Sequence, residues 1–124
     1  MTKENAISKI ILDAAFKVHS TLGPGLLEST YKACMAYELS KRGCKVEVEK
    51  AVPLIYEEVK LEVGFRMDLL VDDLVVVELK SVDAFNEVHL AQTLTYLRLG
   101  KKKLGLLLNF KVKSMKDGIK RVIL

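Results

Sequence analysis

The stretch that decides the fold is residues 61–80, LEVGFRMDLLVDDLVVVELK. Its first half, residues 61–71, has an apolar residue at every odd position, which is the period of a β-strand. Successive side chains of a strand point to opposite faces, so Asp68 is expected on the polar face together with Arg66 and Glu62. That face is where polar chemistry is allowed.

Residues 74–80 predict a second strand, in which Glu78 and the other even positions share one face and the odd positions share the other. The register of the resulting hairpin decides whether the two acids meet. A two-residue turn at Asp72-Asp73 would pair Asp68 with Val77, whereas a three-residue loop would pair Asp68 with Glu78. We therefore predict the longer loop or a bulge.

The two acids and a nearby lysine suggest a site. Two carboxylates that meet in a hairpin can hold a hard divalent cation, and Lys80 lies on the same strand face as Glu78. These groups suit metal-assisted phosphodiester hydrolysis. The alternative is a solvated hairpin face, where acids and lysines are common. The apolar run 75–77 favours a site, because it indicates a strand buried on both faces, and uncompensated charge at its end is costly.

Composition sets the outer bounds. The chain has 124 residues, 50% hydrophobic and 29% charged, which predicts one globular domain over residues 1–124. No apolar run approaches the roughly 18 residues of a membrane span, and the first residues lack the apolar core of a signal peptide. Cys34 and Cys44 are isolated in the sequence and predict reduced thiols. We expect a cytoplasmic protein without a membrane partner.

Charge is distributed unevenly along the chain. Residues 98–124 contain nine lysines and arginines against one aspartate, a net charge of +8, which leaves −4 on the first 97 residues. A basic end beside an acidic centre is typical of a protein that binds a phosphate backbone and holds a cation. A solvated lysine-rich surface explains the charge equally well. The candidate nucleic-acid contacts are Lys101, Lys102, Lys103, Lys111 and Lys113.

Apolar spacing predicts three helices. The first ends at Gly23-Pro24, the second runs from about Leu26 to Arg42, and the third starts at Asp83 or Ala84 and ends near Leu99. Glu28 lies in the first turn of the second helix, where an acid is favourable in any helix. Its functional interpretation is a third carboxylate for the metal centre. On the third helix, His89, Gln92 and Tyr96 form one stripe.

Further strands are predicted on both sides of the hairpin. They cover residues 45–56, with a break or bulge near Pro53, residues 104–109 and residues 119–124. The helix after Lys80 can cross over to a parallel strand at Leu104. The element order therefore implies an α/β sandwich with a mixed sheet flanked by helices.

These motifs resemble a known family. Residues 25–31, GLLESTY, resemble the Gly-x-x-Glu-x-x-Tyr signature of the small proteins named GxxExxY, which belong to the PD-(D/E)XK nuclease-like superfamily. The similarity covers nearly the whole chain through residues 66–71, 77–80, 89–97, 108–110 and 116–121. The resemblance implies a PD-(D/E)XK (restriction-endonuclease-like) core in the order helix-β-β-β-helix-β, preceded here by an extra N-terminal helix.

The resemblance also implies roles for individual residues. Asp68 and Glu78 would correspond to the metal-binding acids of the superfamily, Lys80 to its catalytic lysine and Glu28 to the extra acid from the first core helix. Met67 stands where the superfamily often has a proline before the first acid.

Gln92 and Tyr96 are similar to the Gln-x-x-x-Tyr element of RecB-like exonucleases, which is thought to help orient the site. Taken without the resemblance, Gln92 is equally explained as a polar residue on a helix face and Tyr96 as a core aromatic residue. His89 is expected to be structural, because hard divalent cations prefer oxygen ligands.

The resulting hypothesis is a nuclease dependent on Mg²⁺ or Mn²⁺ that acts on DNA more readily than on RNA, as an exonuclease or in end or junction processing. Asp68, Glu78 and the carbonyl of Leu79, with Glu28 as a further candidate, would bind the cation. Lys80 would orient or deprotonate the attacking water.

Two alternatives stay open. One is a catalytically inactive module that uses the nuclease fold to bind nucleic acid or a protein, and the other is a metal-binding structural module with no salt-dependent affinity for DNA. The small size of the chain suggests a homodimer or a larger protein partner.

Overall fold

The computed structural model describes residues 2–124, apart from the side chains of Glu62 and Val63. The helices are α1 (Lys3–Leu22), α2 (Glu28–Lys41) and α3 (Glu87–Gly100). The strands are β1 (Val46–Tyr56), β2 (Val59–Val71), β3 (Val75–Lys80), β4 (Leu104–Asn109) and β5 (Ile119–Ile123). A short 3₁₀ helix, Met115–Gly118, precedes β5. The sequence did not predict it.

The five described strands form one mixed sheet in the order β1-β2-β3-β4-β5. All neighbours are antiparallel except β3 and β4, which are parallel and are connected through α3. Helices α1 and α2 pack on one face over the larger core, while α3 packs on the other face over a smaller apolar cluster. The predicted α/β architecture with a mixed sheet is confirmed.

Two local predictions had different outcomes. The bulge near Pro53 is confirmed, because the β1–β2 register shifts between Val52 and Leu54. The predicted start of α3 is wrong. The helix begins at Glu87, because the Asn86 side chain accepts a hydrogen bond from the amide of His89 at 3.0 Å, and His89 Nδ1 accepts one from the amide of Asn86 at 3.2 Å. This capping box fixes the helix start, and it gives His89 a structural role.

The predicted face alternation of β2 is also wrong. Met67 packs in the cluster under α3, whereas Leu69, two residues later, packs in the core under α1 and α2. The alternation therefore breaks at Asp68. Its neighbour position on β1 is Glu49, which has a left-handed backbone (φ 51°) within the strand. From this point on, the side chains of β2 that pack under α1 and α2 are those at odd positions, whereas before it the odd positions pack under α3. The predicted face of Glu62 concerns a side chain outside the described part of the structure.

Tyr31 fixes the loop between α1 and α2. Its ring is fully buried and stacks on Phe110, with ring centroids 4.5 Å apart. Its hydroxyl donates a hydrogen bond to the carbonyl of Gly23 and accepts one from the amide of Leu26 at 3.1 Å. The Leu26 carbonyl in turn accepts a hydrogen bond from the hydroxyl of Ser81, just after β3, at 3.2 Å. Tyr31 thus holds the start of α2 against the end of β3.

Replacing Tyr31 with phenylalanine is expected to lower the free energy of unfolding by about 1–3 kcal/mol, because two partly buried hydrogen bonds to the backbone are lost. Urea unfolding followed by circular dichroism measures this. Tyr37→Phe on the same helix is the control, since Tyr37 is 70% exposed and its replacement should leave stability unchanged. Equal stability of the two variants would show that the hydroxyl of Tyr31 does not hold the loop.

Among residues 2–124, no helix has the length and apolar character that crossing a membrane would require.

Candidate active site

The hairpin of β2 and β3 has the register that brings the two acids together. Leu69 pairs with Val77 and Val71 pairs with Val75, so the connecting loop contains three residues, 72–74. The prediction of the longer loop is confirmed. The next position along the ladder places Asp68 opposite Glu78, at the point where the regular pairing of the two strands stops.

At that point the two carboxylates take over hydrogen bonds that the strands would otherwise share. The amide of Asp68 donates to Glu78 Oε2 at 2.9 Å. The amide of Leu79 donates to Asp68 Oδ2, also at 2.9 Å. Each acid is therefore fixed by the other strand, and the two side chains are held together at the end of the hairpin.

Glu78 is in an unfavourable electrostatic environment. The residue is only 3% exposed. Burial, reinforced by the negative charge of Asp68, raises the pKa of its carboxyl from 4.5 to about 8, although the hydrogen bond from the Asp68 amide and the charges of Lys80 and Lys32 act in the opposite direction. A buried acid beside a second acid needs either a proton or a cation.

Lys80 ends β3 two residues beyond Glu78. The alternation of β3 places both residues on one face, since Val75, Val77 and Leu79 pack in the core under α1 and α2. The Lys80 carbonyl accepts a hydrogen bond from the amide of Phe110 at 3.0 Å, which fixes the strand end against the segment after β4. Its side chain is partly exposed and lowers the pKa of Glu78 through its charge.

Gln92 and Tyr96, the two residues predicted on α3, belong to the helix that packs on the sheet face to which Glu78 and Lys80 point. Burial, followed by the charges of Glu78 and Asp68, raises the pKa of the Tyr96 hydroxyl. The Gln92 side chain is close enough to the Tyr96 hydroxyl to act against the rise in its pKa. The Tyr96 ring stacks on Phe65 of β2, with centroids 4.3 Å apart. Packing on the strand thus holds the tyrosine beside the carboxylate pair.

Glu28 lies at the edge of this arrangement. It begins α2, and its Oε2 accepts a hydrogen bond from the amide of Ser81 at 3.2 Å, one residue beyond Lys80. Within the described residues, no group of three or more acids, histidines and cysteines is close enough to hold a metal ion. The structure therefore brings Asp68 and Glu78 together but does not bring Glu28 to them, since Glu28 is engaged with the backbone at Ser81.

The predicted nucleic-acid contacts are divided between two ends of the sheet. Parallel pairing sets Leu104 beside Val75 and Asn109 beside Lys80, so residues 101–103 precede β4 at the end away from the acids. The six residues of β4 separate the two ends by roughly 16 Å. Two lysines of the set follow β4 at the same end as Lys80, and they are Lys111 and Lys113.

Several of these lysines have acidic partners. Lys102 Nζ is 3.0 Å from Asp73 Oδ1, and Lys111 Nζ is 2.8 Å from Asp83 Oδ1. Both acids are largely exposed, whereas the Lys102 side chain is only 19% exposed. The exposed Lys111–Asp83 pair contributes little to stability and is easily exchanged for another anion.

Two residues near the site were missed by the sequence analysis. Lys32 of α2 reaches Asp68, with Nζ 3.7 Å from Oδ1. Asn109 is 2% exposed and binds the backbone of Val82 through both its amide nitrogen, at 2.8 Å, and its oxygen, at 3.1 Å. The available signals were the four-residue spacing of Lys32 from Glu28 on one helix and a polar residue ending the apolar strand β4.

The donor set fits a hard divalent cation. Carboxylate oxygens are the ligands that such cations prefer, and burial together with the charge of Asp68 raises the pKa of Glu78, so a cation beside the pair would favour its ionised form. Because alternate residues of a strand direct their backbone groups to opposite neighbours, the Leu79 carbonyl faces β2, as its amide does, whereas the Lys80 carbonyl faces β4. The Leu79 carbonyl is therefore directed toward the strand that contains Asp68.

A search of curated proteins and a search of solved structures both gave no match. The model of the PD-(D/E)XK nuclease superfamily matches residues 5–122. The helix order, the mixed sheet and the crossover from β3 to β4 are consistent with the fold of that superfamily. Its members are generally nucleases that bind nucleic acid and depend on divalent metal ions. The chain belongs to the PD-(D/E)XK nuclease superfamily.

Proposed function

We propose that this protein is a nuclease of the GxxExxY type that uses Mg²⁺ or Mn²⁺ to hydrolyse phosphodiester bonds in DNA. The observation that carries the proposal is the reciprocal hydrogen bonding of Asp68 and Glu78, which holds two carboxylates together beside Lys80. A purely structural hairpin gains nothing from burying Glu78 next to a second acid, because the ionised pair is costly. A hydrolytic metal site needs that arrangement.

Asp68, Glu78 and the carbonyl of Leu79 would hold the cation. Glu28 is a further candidate, supported by its position beside Ser81, where a change of rotamer would release it from the backbone. When bound, the cation would supply Lewis-acid polarisation of the phosphate and acidify the attacking water.

Lys80 would act on the water and on the developing charge. It lies on the same strand face as Glu78, so as an ammonium group it can hold the water in line and stabilise negative charge on the phosphate. Only the neutral amine form of Lys80 could take up the proton of the water. Tyr96 and Gln92 would position the site from α3. The stacking of Tyr96 on Phe65 supports this role, because it restricts the tyrosine to one orientation.

The lysines suggest how DNA would lie. Lys111 and Lys113 follow β4 at the end where Lys80 lies, and the group at 101–103 lies roughly 16 Å away along β4. At about 3.4 Å per nucleotide in duplex DNA, this distance corresponds to about five base pairs. We expect substrates that extend at least this far from the cut to bind more tightly, with an affinity that falls steeply as salt rises.

The test is a cleavage assay with labelled single-stranded DNA, double-stranded DNA and RNA, each in Mg²⁺, Mn²⁺ or chelator. We expect cleavage of DNA that requires the metal. Folded protein that cleaves none of these substrates but binds DNA in a salt-dependent manner would replace the proposal with the inactive nucleic-acid-binding module. Absence of both cleavage and salt-dependent binding would favour a structural metal-binding module.

A further inference from the structure

Helix α2 places a second cation at the carboxylate pair. Lys32 is four residues after Glu28, so both project from the same side of the helix. Its Nζ lies 3.7 Å from Asp68 Oδ1 and 3.7 Å from Glu49 Oε1. The Lys32 side chain is 21% exposed and that of Asp68 is 26% exposed, so this contact is partly shielded from solvent. Lys32 is thus positioned by the fold, not free on the surface.

The contact between Lys32 and Asp68 is weak enough for another cation to replace it. A distance of 3.7 Å is longer than the 2.7–3.2 Å of an N–H···O hydrogen bond, so the ammonium is attracted to Asp68 without being tightly bonded to it. Glu49 provides the second acid at the same distance, and its side chain is 59% exposed. Lys32 can therefore leave Asp68 and stay paired with Glu49.

We propose that Lys32 is an internal counter-cation of the Asp68–Glu78 pair, and that a divalent cation must displace it from Asp68 in order to bind. Lys32 thereby sets the affinity of the site for its metal. This inference rests on the cation site of the proposed function. On displacement, the Lys32 ammonium remains at the edge of the site, held by Glu49 and available to a substrate phosphate.

The expected size of the effect follows from Coulomb repulsion. A single charge a few ångströms from a divalent cation, in the high effective dielectric of a partly exposed site, changes the affinity of the cation by about tenfold at low ionic strength. Neutralising Lys32 while keeping its apolar stem, as in Lys32→Met, should therefore tighten binding by that factor. Lys32→Arg keeps the charge and should bind like the unaltered protein.

The experiment is a titration of the full chain with Mn²⁺, with free Mn²⁺ followed by electron paramagnetic resonance in low salt. The variants are Lys32→Met, Lys32→Arg, Asp68→Asn and the control Lys17→Met. Lys17 is a suitable control because it also forms an ion pair with a carboxylate, that of Glu38 at 3.2 Å, but this pair lies between α1 and α2 and does not include Asp68 or Glu78. Melting temperatures in chelator and in Mn²⁺ give a second readout that needs no catalysis.

We expect Lys32→Met to bind Mn²⁺ about tenfold more tightly than the unaltered protein does. Addition of Mn²⁺ should also raise the melting temperature of Lys32→Met more than that of the unaltered protein. Lys17→Met should match the unaltered protein in both readouts. Binding that is lost in Asp68→Asn but unchanged or weakened in Lys32→Met would overturn this inference and leave the proposed function intact. Absence of Mn²⁺ binding in the unaltered protein and in Lys32→Met would overturn both.

Discussion

Replacing Lys80 with alanine is expected to lower the rate of DNA cleavage by about 10²–10⁴-fold, the range typical of losing a group that moves or holds a proton in the transition state. The side chain is partly exposed at the end of β3, and the strand is fixed there by the backbone bond between the Lys80 carbonyl and Phe110. The substitution should therefore leave the fold unchanged, and it should not weaken the binding of Mn²⁺, because it removes a positive charge near the acids. Single-turnover cleavage with saturating protein measures the chemical step.

The control for this variant is Lys41→Ala, which removes an exposed lysine from the last turn of α2, away from the acids. It should cleave at the unaltered rate. If Lys80→Ala were slowed only at high salt, or only in apparent affinity for DNA, Lys80 would be a contact to the phosphate backbone and not a participant in hydrolysis.

Replacing Glu78 with glutamine is expected to abolish metal-dependent cleavage and yet stabilise the protein in chelator at alkaline pH. The folded-state pKa of Glu78, about 8, lies above its ordinary value of 4.5, so the folded protein binds more protons than the unfolded chain between these values. Stability contributed by the protonated acid is therefore present below pH 4.5 and is lost as pH rises to about 8. Glutamine cannot ionise and avoids this loss.

The predicted gain is up to a few kcal/mol in the free energy of unfolding, or roughly 5–10 °C in melting temperature, measured by differential scanning fluorimetry near pH 9. Glu38→Gln is the contrasting control. Glu38 is also buried, but hydrogen bonding to Arg42 at 2.8 Å, followed by contact with Lys17, holds its pKa below 4.5. Its replacement should destabilise. A Glu78→Gln variant that is less stable than the unaltered protein under these conditions would show that ionisation of Glu78 beside Asp68 does not destabilise the folded state.

Most of the fold could be predicted from local patterns. The apolar run at 75–77, the strand at 104–109 and the turn at Gly23-Pro24 each gave an element boundary correct to within about one residue, because each has one dominant local cause. The start of α3 could not be predicted, because the cap depends on the side chains of Asn86 and His89 meeting in space. Apolar periodicity does not report that contact.

The site shows the same division. The register that pairs Asp68 with Glu78 followed from the choice between two loop lengths, and it proved correct. The face on which Asp68 lies did not follow, because the alternation of β2 breaks where Glu49 of the neighbouring strand takes a left-handed backbone. The break in alternation depends on how β2 pairs with β1, and not on the sequence around Asp68 alone. Local period alone would have extended the alternation through residue 71.

The position of Lys32 at the site and the separation of the five lysines both depend on long-range structure. Lys32 and Asp68 are 36 positions apart in the chain, and no spacing rule connects a residue of α2 with one of β2. The five lysines near the C-terminal end of the sequence looked like one basic group because they are close in sequence. The direction of β4 then sends them to two ends of the sheet.

The most direct test of the account is cleavage of one labelled DNA in Mg²⁺ by the unaltered protein and by Asp68→Asn, purified in parallel and matched by circular dichroism. Asparagine keeps an oxygen that can accept the hydrogen bond of the Leu79 amide, so the hairpin should be preserved while the charge that holds the cation is lost. We predict cleavage by the unaltered protein that chelator stops, and no cleavage by the variant. Equal cleavage by both would contradict the assignment of the Asp68–Glu78 pair as the metal centre.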